Sequence, residues 1–253
     1  MLIGGLEKLS LIDYPGYLSA VVFVKGCNFQ CKFCYNPMLV LPRLSGKIEN
    51  IKRGREEGHS RQVEEKDNPL FDEGDLFQFL AKRQGKLEAV VITGGEPTMY
   101  KDLPEFMAKI KKMGFLVKLD TNGTNPEMVE ELIQKNLIDY IAMDLKADQT
   151  NYEMAVGAKV DFGKITKSVK IIMDSSLPYE FRTTCVPGLI NASMLENMGK
   201  IISGADKWYL QKFKSDTDLI DNSLVDQKPF SDKEMKEFCQ LGKKYTKECE
   251  MRG

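Results

Sequence analysis

Six short runs of nearly unbroken apolar residues recur along the chain, at Leu18–Val24, Ala89–Thr93, Leu116–Asp120, Tyr140–Asp144, Tyr179–Thr184 and Lys207–Gln211. Rich in Val, Ile, Phe and Tyr, they predict strands covered on both faces, as in a parallel sheet. Between them the apolar positions switch to a helical period. Leu103, Phe106, Met107, Ile110 and Met113 form one stripe, Met128, Val129, Leu132 and Ile133 a second, and Ile165, Val169, Ile172 and Met173 a third. Asn125 and Pro126 predict the start of the second of these helices. Ser193 with Glu196, and Ser231 with Glu234, predict capping boxes that open two more. Strands alternating with helices predict an α/β fold, and six repeats predict a partial, TIM-like (β/α)6 barrel rather than a closed eightfold one.

One stretch breaks this rhythm. From Arg43 to Asp75 the chain carries seven basic and nine acidic side chains and few apolar ones. That composition predicts a solvated insertion at about 43–75, or a docking surface for a protein partner, within a single domain spanning 1–253. At 253 residues and 42% apolar composition, the chain can bury one substantial core. With 36 basic and 37 acidic side chains, charge gives no reason to expect nucleic-acid or membrane binding. No run approaches the ~20 apolar residues of a membrane span, and the N-terminus lacks the layout of a signal peptide. Six cysteines, three of them within eight residues, do not read as a secreted disulfide framework, so a reducing cytoplasm is expected.

Those three carry the chemistry. Cys27, Cys31 and Cys34 stand in Gly26-Cys-Asn-Phe-Gln-Cys-Lys-Phe-Cys-Tyr-Asn-Pro37, a C-x3-C-x2-C triad directly after the first strand. Thiolates are the soft ligands of iron–sulfur clusters, and four are the usual complement. Three at this spacing predict a [4Fe–4S] cluster with one iron left open to another molecule. The alternative is a structural zinc knot, which needs a fourth ligand. The only histidine, His59, lies in the charged stretch, and Cys185, Cys239 and Cys249 show no paired spacing. Cys239 reads as a buried thiol on a helical face, Cys185 as packing at a strand end that could approach the site, and Cys249 as part of a polar tail.

Almost every predicted strand also ends in groups that a charged ligand can use. The second runs into Gly94-Gly95-Glu96-Pro97, the third into Asp120-Thr121-Asn122-Gly123, the fourth into Asp144-Leu-Lys146, the fifth contains Arg182, and the sixth ends at Gln211 and Lys212. In parallel α/β barrels the C-terminal rim is where active sites assemble. Gly94 and Gly95 permit a sharp turn and close approach. Asp120 and Asp144 suit ribose or amine contacts, or joint coordination of a monovalent or divalent cation; capping of its own turn is the other reading of Asp120. Arg182, inside an apolar strand, requires a partner.

Taken together, the cysteine triad, Phe33 before the third cysteine and the Gly94-Gly95-Glu96-Pro97 loop resemble the radical S-adenosylmethionine (SAM) superfamily. The resemblance implies that the open iron chelates SAM and that Gly94, Gly95, Glu96, Asp120, Thr121, Asp144, Lys146 and Arg182 hold it, Glu96 through the SAM amine. Asn122 and Asn36 are further candidates; Phe33 and Tyr35 would shield the cluster and stack beside adenine. The opening Gly-Leu-Glu-Lys-Leu-Ser-Leu-Ile-Asp13-Tyr14-Pro15-Gly16 is similar to glycyl-radical-enzyme activating enzymes, and within them to the longer activators of anaerobic ribonucleoside-triphosphate reductase. Asp144-Leu-Lys146, Arg182-Thr-Thr-Cys-Val-Pro-Gly188 and Trp208-Tyr-Leu-Gln211-Lys-Phe213 agree. The implied activity is abstraction of one Cα hydrogen from a glycine of a partner enzyme, with a flavodoxin or ferredoxin as electron donor. Two positions depart from the pattern. Tyr35-Asn36 replaces the His-Asn of many relatives, and the sixth strand ends without the histidine of pyruvate formate-lyase activators. A radical SAM enzyme acting on a small molecule would share every motif named.

Overall fold

The computed structural model describes residues 1–40 and 70–253. In chain order the elements are β1 Ile3–Ser10, β2 Ser19–Val24, α1 Pro37–Val40, α2 Glu73–Ala81, β3 Ala89–Gly94, α3 Leu103–Lys112, β4 Leu116–Thr121, α4 Pro126–Gln134, β5 Tyr140–Asp144, α5 Tyr152–Val156, α6 Phe162–Asp174, β6 Tyr179–Cys185, α7 Ala192–Ile201, β7 Lys207–Lys212, α8 Asp232–Gly242 and β8 Glu248–Arg252. The strands form one sheet in sequence order. β1 runs antiparallel to β2, and every pair from β2 to β8 is parallel. Among the described residues β1 and β8 do not pair, so the curled sheet stays open between them. The α/β architecture expected from the alternating pattern is the one observed.

All six expected strands are present as β2 to β7, their ends within one residue of the sequence reading. Two more were not anticipated. β1 begins Ile-Gly-Gly and exposes its middle, and β8 is the short Glu-Cys-Glu-Met-Arg, so neither has a continuous apolar run. Cys249 is therefore not in a polar tail: it is buried in β8, paired with Trp208 of β7. Most of the charged stretch at 43–75 lies outside the described residues. Its last part is structured, with Phe71 bridging to Ile3 and Asp72 capping α2 through the Asp75 N–H.

Helix starts follow their side chains. Asn125 caps α4 with Pro126 in its first turn, and Ser231 with Glu234 forms the expected capping box on α8. α7 differs: Asn191, not Ser193, accepts the capping N–H, from Met194. Asn is as good a cap as Ser, and the chain is extended at Asn191 but already helical at Ser193.

The two faces of the sheet part company chemically. Val22, Ile92, Leu119, Met143, Phe181 and Leu210 point outward into one core with Phe106, Ile110, Leu132, Ile165 and Leu195 of the helices. Each such side chain contributes on the order of 1.5–3 kcal/mol. The alternate residues point inward and include Lys118 and Asp120 of β4, Asp144 of β5, and Glu180 and Arg182 of β6. Tyr14, from the loop after β1, packs with Val21, Ala89, Val91 and Tyr140 beneath the N-terminal ends of β2 to β5. On the inner face, Glu180 accepts from the Tyr140 hydroxyl at 2.9 Å and from both Arg252 terminal nitrogens at 2.9 and 3.1 Å. Arg252 also lies over the Tyr209 ring, so this bidentate pair ties β8 to β6 across β7.

Candidate functional site

β2 delivers the chain into Lys25-Gly26-Cys27, and the cysteine loop is then pinned from two sides. The Gly95 N–H donates to the Val24 carbonyl and the Glu96 N–H to the Gly26 carbonyl, both at 2.8 Å. The turn after β3 therefore lies directly on the turn after β2. A Cβ on Gly95 would come 1.9 Å from the Gly26 oxygen, and Gly94 adopts φ +108 with the Val24 backbone also too close for a Cβ. Only glycine permits this contact. On the other side the Gln30 N–H donates to the Val156 carbonyl of α5 at 2.8 Å.

Within the loop Cys31 is buried, and Cys27 and Cys34 are half-buried. The sulfurs of Cys27 and Cys34 accept the N–H groups of Phe29 and Asn36, each at 3.4 Å. Burial pushes the Cys27 thiol up to about 12 and Cys31 to about 11, against the opposing pull of Lys146. Such thiols stay protonated until a metal displaces the proton. Among the described residues no three His, Cys, Asp or Glu side chains gather as one shared ion requires.

Beside the loop runs a row of alternating charges drawn from β4, β5 and β6. Lys118 Nζ lies 2.7 Å from Asp120 Oδ1, and Arg182 reaches Asp120 at 3.0 Å and Asp144 at 2.8 Å. Lys146 Nζ closes the row 3.0 Å from Asp144 and 5.9 Å over the Phe33 ring. Burial pushes both carboxyls up, but Arg182, with Lys118 on one and Lys146 on the other, outweighs it and holds both below the usual carboxylate range. The partner Arg182 requires is thus a pair of aspartates. Joint coordination of a monovalent or divalent cation is one sequence reading of Asp120 and Asp144; between them stands the Arg182 guanidinium, a planar, multi-donor cation. Lys118 is almost fully buried and was missed by sequence reasoning. Its two-residue spacing from Asp120 was the available signal.

Glu96 also departs from expectation. It is buried, and its carboxylate accepts from the Thr98 N–H and hydroxyl, the Thr121 hydroxyl at 2.7 Å and the Asn122 N–H at 2.7 Å. Instead of facing a ligand amine, it braces the β3 turn against the β4 turn. Asn122 extends the brace, its Nδ2 donating to Asn28 Oδ1 at 2.9 Å, while Asn28 Nδ2 donates to the Thr124 hydroxyl at 2.9 Å. Asn28, inside the triad, is a second residue missed from sequence.

The remaining candidates divide by function. Phe33 is buried under Lys146. Tyr35, expected beside adenine, instead stacks on Phe213 at 6.3 Å and accepts the Lys214 N–H, joining the loop to the end of β7. The Asn36 carbonyl accepts the Leu39 N–H at the start of α1. Lys212 pairs outward with Asp232 of α8. Cys185 is fully buried in the main core, and its field is shared with Cys239 rather than with the triad. Solvent still reaches 23% of the Asp144 side chain, 17% of Lys146 and 13% of Arg182, leaving a rim of charge open beside three thiols.

Comparisons with known proteins bear on this geometry. The profile described as the Radical SAM superfamily matches residues 21–200. A Methanocaldococcus jannaschii protein, provisionally named a glycyl-radical enzyme activating enzyme, is 35% identical over 249 residues, covering 96% of this chain and 92% of its own. The pyruvate formate-lyase-activating enzyme of Clostridium pasteurianum is 27% identical over 207 residues, 79% of this chain and 74% of that one. Among solved structures, SuiB of Streptococcus suis bound to its precursor peptide SuiA superposes with a TM-score of 0.61 at 13% identity, over 92% of this chain and 48% of that one. QueE of Escherichia coli gives a TM-score of 0.52 at 15% identity, over 99% and 93%.

Proposed function

The chain belongs to the radical SAM superfamily, whose members use a [4Fe–4S] cluster and S-adenosylmethionine, and from that premise we propose that it activates a glycyl radical enzyme by removing a glycine Cα hydrogen. Relatives named as activators cover most of the chain at the sequence level, which supports the activase reading. The single observation that carries the site is the cysteine loop clamped against the Gly94–Gly95 turn, with the accessible end of the charge row beside it. The donor set fits the cluster: three thiols on one loop, two already accepting N–H groups as thiolates require.

Cys27, Cys31 and Cys34 would hold three irons, leaving the fourth for the amino and carboxylate groups of SAM. When bound, the pair supplies one-electron cleavage of a carbon–sulfur bond, yielding methionine and a carbon radical that can take a hydrogen atom. The protein's part is positional. Lys146 and Arg182 offer positive charge to the carboxylate end of the ligand, and Asp144 offers an acceptor to its amine. Asp120, Thr121 and Asn122 stand at the neighbouring strand end, where ribose contacts would fall. Glu96 acts through them by fixing both turns. The buried Phe33 ring and the Tyr35–Phe213 stack anchor the cysteine loop. Hydrogen leaves the glycine together with its electron, so no side chain has to take a proton at that step.

The partner we favour is anaerobic ribonucleoside-triphosphate reductase. Support comes from the opening block through Tyr14-Pro15-Gly16 and from a β7 end that presents Gln211 and Lys212 without histidine. A flavodoxin or ferredoxin would supply the electron. No described helix is long and apolar enough to cross a membrane.

The test is anaerobic reconstitution followed by incubation with SAM, dithionite and candidate partner enzymes. The expected result is about four irons per chain, SAM cleavage, and the doublet electron paramagnetic resonance signal of a glycyl radical on the reductase. Cleavage without that signal on any glycyl radical enzyme of the host overturns the activase reading in favour of a small-molecule substrate. Bound zinc without cleavage overturns the radical reading altogether.

A further inference from the structure

One buried polar group beside the cysteine loop takes no part in the proposed chemistry. Tyr152, the first residue of α5, is 1% exposed; its hydroxyl oxygen faces the Lys146 backbone N–H, but its own proton reaches no acceptor among the described residues. A buried hydroxyl proton with no acceptor is destabilising, so a position that keeps one calls for a reason. The ring is fixed by Phe29 at 6.1 Å and Phe162 at 5.3 Å, both edge-on. Its helix is docked on the loop through the Gln30 N–H to Val156 carbonyl bond, one residue before Cys31. The phenol lies in the field of Lys146, Cys31 and Asp144, and burial, opposed by Lys146, pushes its pKa up, which keeps it a proton donor.

Two acceptors are within that field. Asp144 already receives Arg182 on one oxygen and Lys146 on the other, and its remaining acceptor capacity is the one offered to the ligand amine. Cys31 differs from its two companions: Cys27 and Cys34 each accept an N–H from another residue, whereas no hydrogen bond from another described residue reaches the Cys31 sulfur. We infer that Tyr152 is a positioning residue whose hydroxyl donates to the Cys31 sulfur once that sulfur ligates iron. The inference rests on the reading of Cys31 as a cluster ligand. Hydrogen bonds to ligand sulfurs stabilise the more negative, reduced form of a cluster and raise its potential.

The experiment compares wild type with Tyr152→Phe, which keeps the ring and removes the donor. Both are reconstituted anaerobically, assayed for iron and SAM cleavage, and titrated electrochemically while the reduced-cluster resonance is followed. The expected result is equal iron content with a midpoint potential shifted to more negative values in the variant. A variant with full iron content and the wild-type potential overturns the inference, while wild-type SAM cleavage shows that the broader reading still stands. Should Tyr152→Phe fail to fold, 3-fluorotyrosine placed at 152 reads the same bond with a stronger donor. The potential should then rise, and an unchanged value again overturns the proposal.

Discussion

At the scale of single residues, the site is governed by how Arg182 is shared. Its guanidinium makes two of the four ion pairs in the row, one to each aspartate. Because Asp120 and Asp144 are held below their unfolded value of about 3.9, the unfolded chain binds more protons than the native one in acid. Their stabilisation is therefore full above about pH 5 and is lost as pH falls through the lower native values. Arg182→Met should cost about 3–5 kcal/mol at pH 7, since it leaves two buried carboxylates short of a partner. It should also raise both carboxyl pKa values and so flatten the decline in acid. Urea unfolding from pH 7 down to pH 3 checks both, and wild-type stability with an unchanged acid limb would count against the shared-pair account. Arg182 was legible from sequence because a guanidinium inside an apolar strand has to be neutralised. Glu96 was misread because a carboxylate in a glycine turn looks available to a ligand. Nothing in the local sequence reveals that Thr121 and Asn122, at the end of another strand, already occupy it.

Among elements, the decisive contact is between two turns rather than two helices. β2 and β3 run in register through Val24 and Gly94, and the chain after each leaves the sheet at the same level. Gly95→Ala should push a methyl group into the Gly26 carbonyl and splay the turns. The expected outcome is near-native far-ultraviolet circular dichroism with iron per chain reduced several-fold after reconstitution; full iron loading would show that the turns separate without cost. Strands β2 to β7 were readable because burial on both faces leaves continuous apolar runs. β1 and β8 were not, because each carries few apolar residues and gains its place from neighbours, β8 from Trp208 beside Cys249 and from Glu180 on Arg252. The start of α7 was misplaced by two residues for a related reason: Asn191 and Ser193 are comparable caps, and only the backbone chooses.

For the molecule as a whole, the last strand, missing from the sequence reading, is a structural necessity. A chain ending at Lys247 loses the partner that buries Trp208 and leaves Glu180, 1% exposed, without its arginine. It should unfold with markedly lower cooperativity and a lower midpoint in a thermal melt; a melt matching the full chain would show that β8 merely decorates the edge. Larger geometry was hidden from sequence for a simple reason: spacing along a chain does not say which inward-facing residues meet across a curved sheet. The charge row is a product of such a meeting. It begins with Lys118 and ends with Lys146, three cations enclosing two anions, so it cannot neutralise itself. Three thiolates outweigh the charge of an oxidised cube and carry the opposite surplus. Barrel wall and metal-bearing loop are therefore complementary halves of one electrostatic circuit, and the polypeptide alone is its incomplete form.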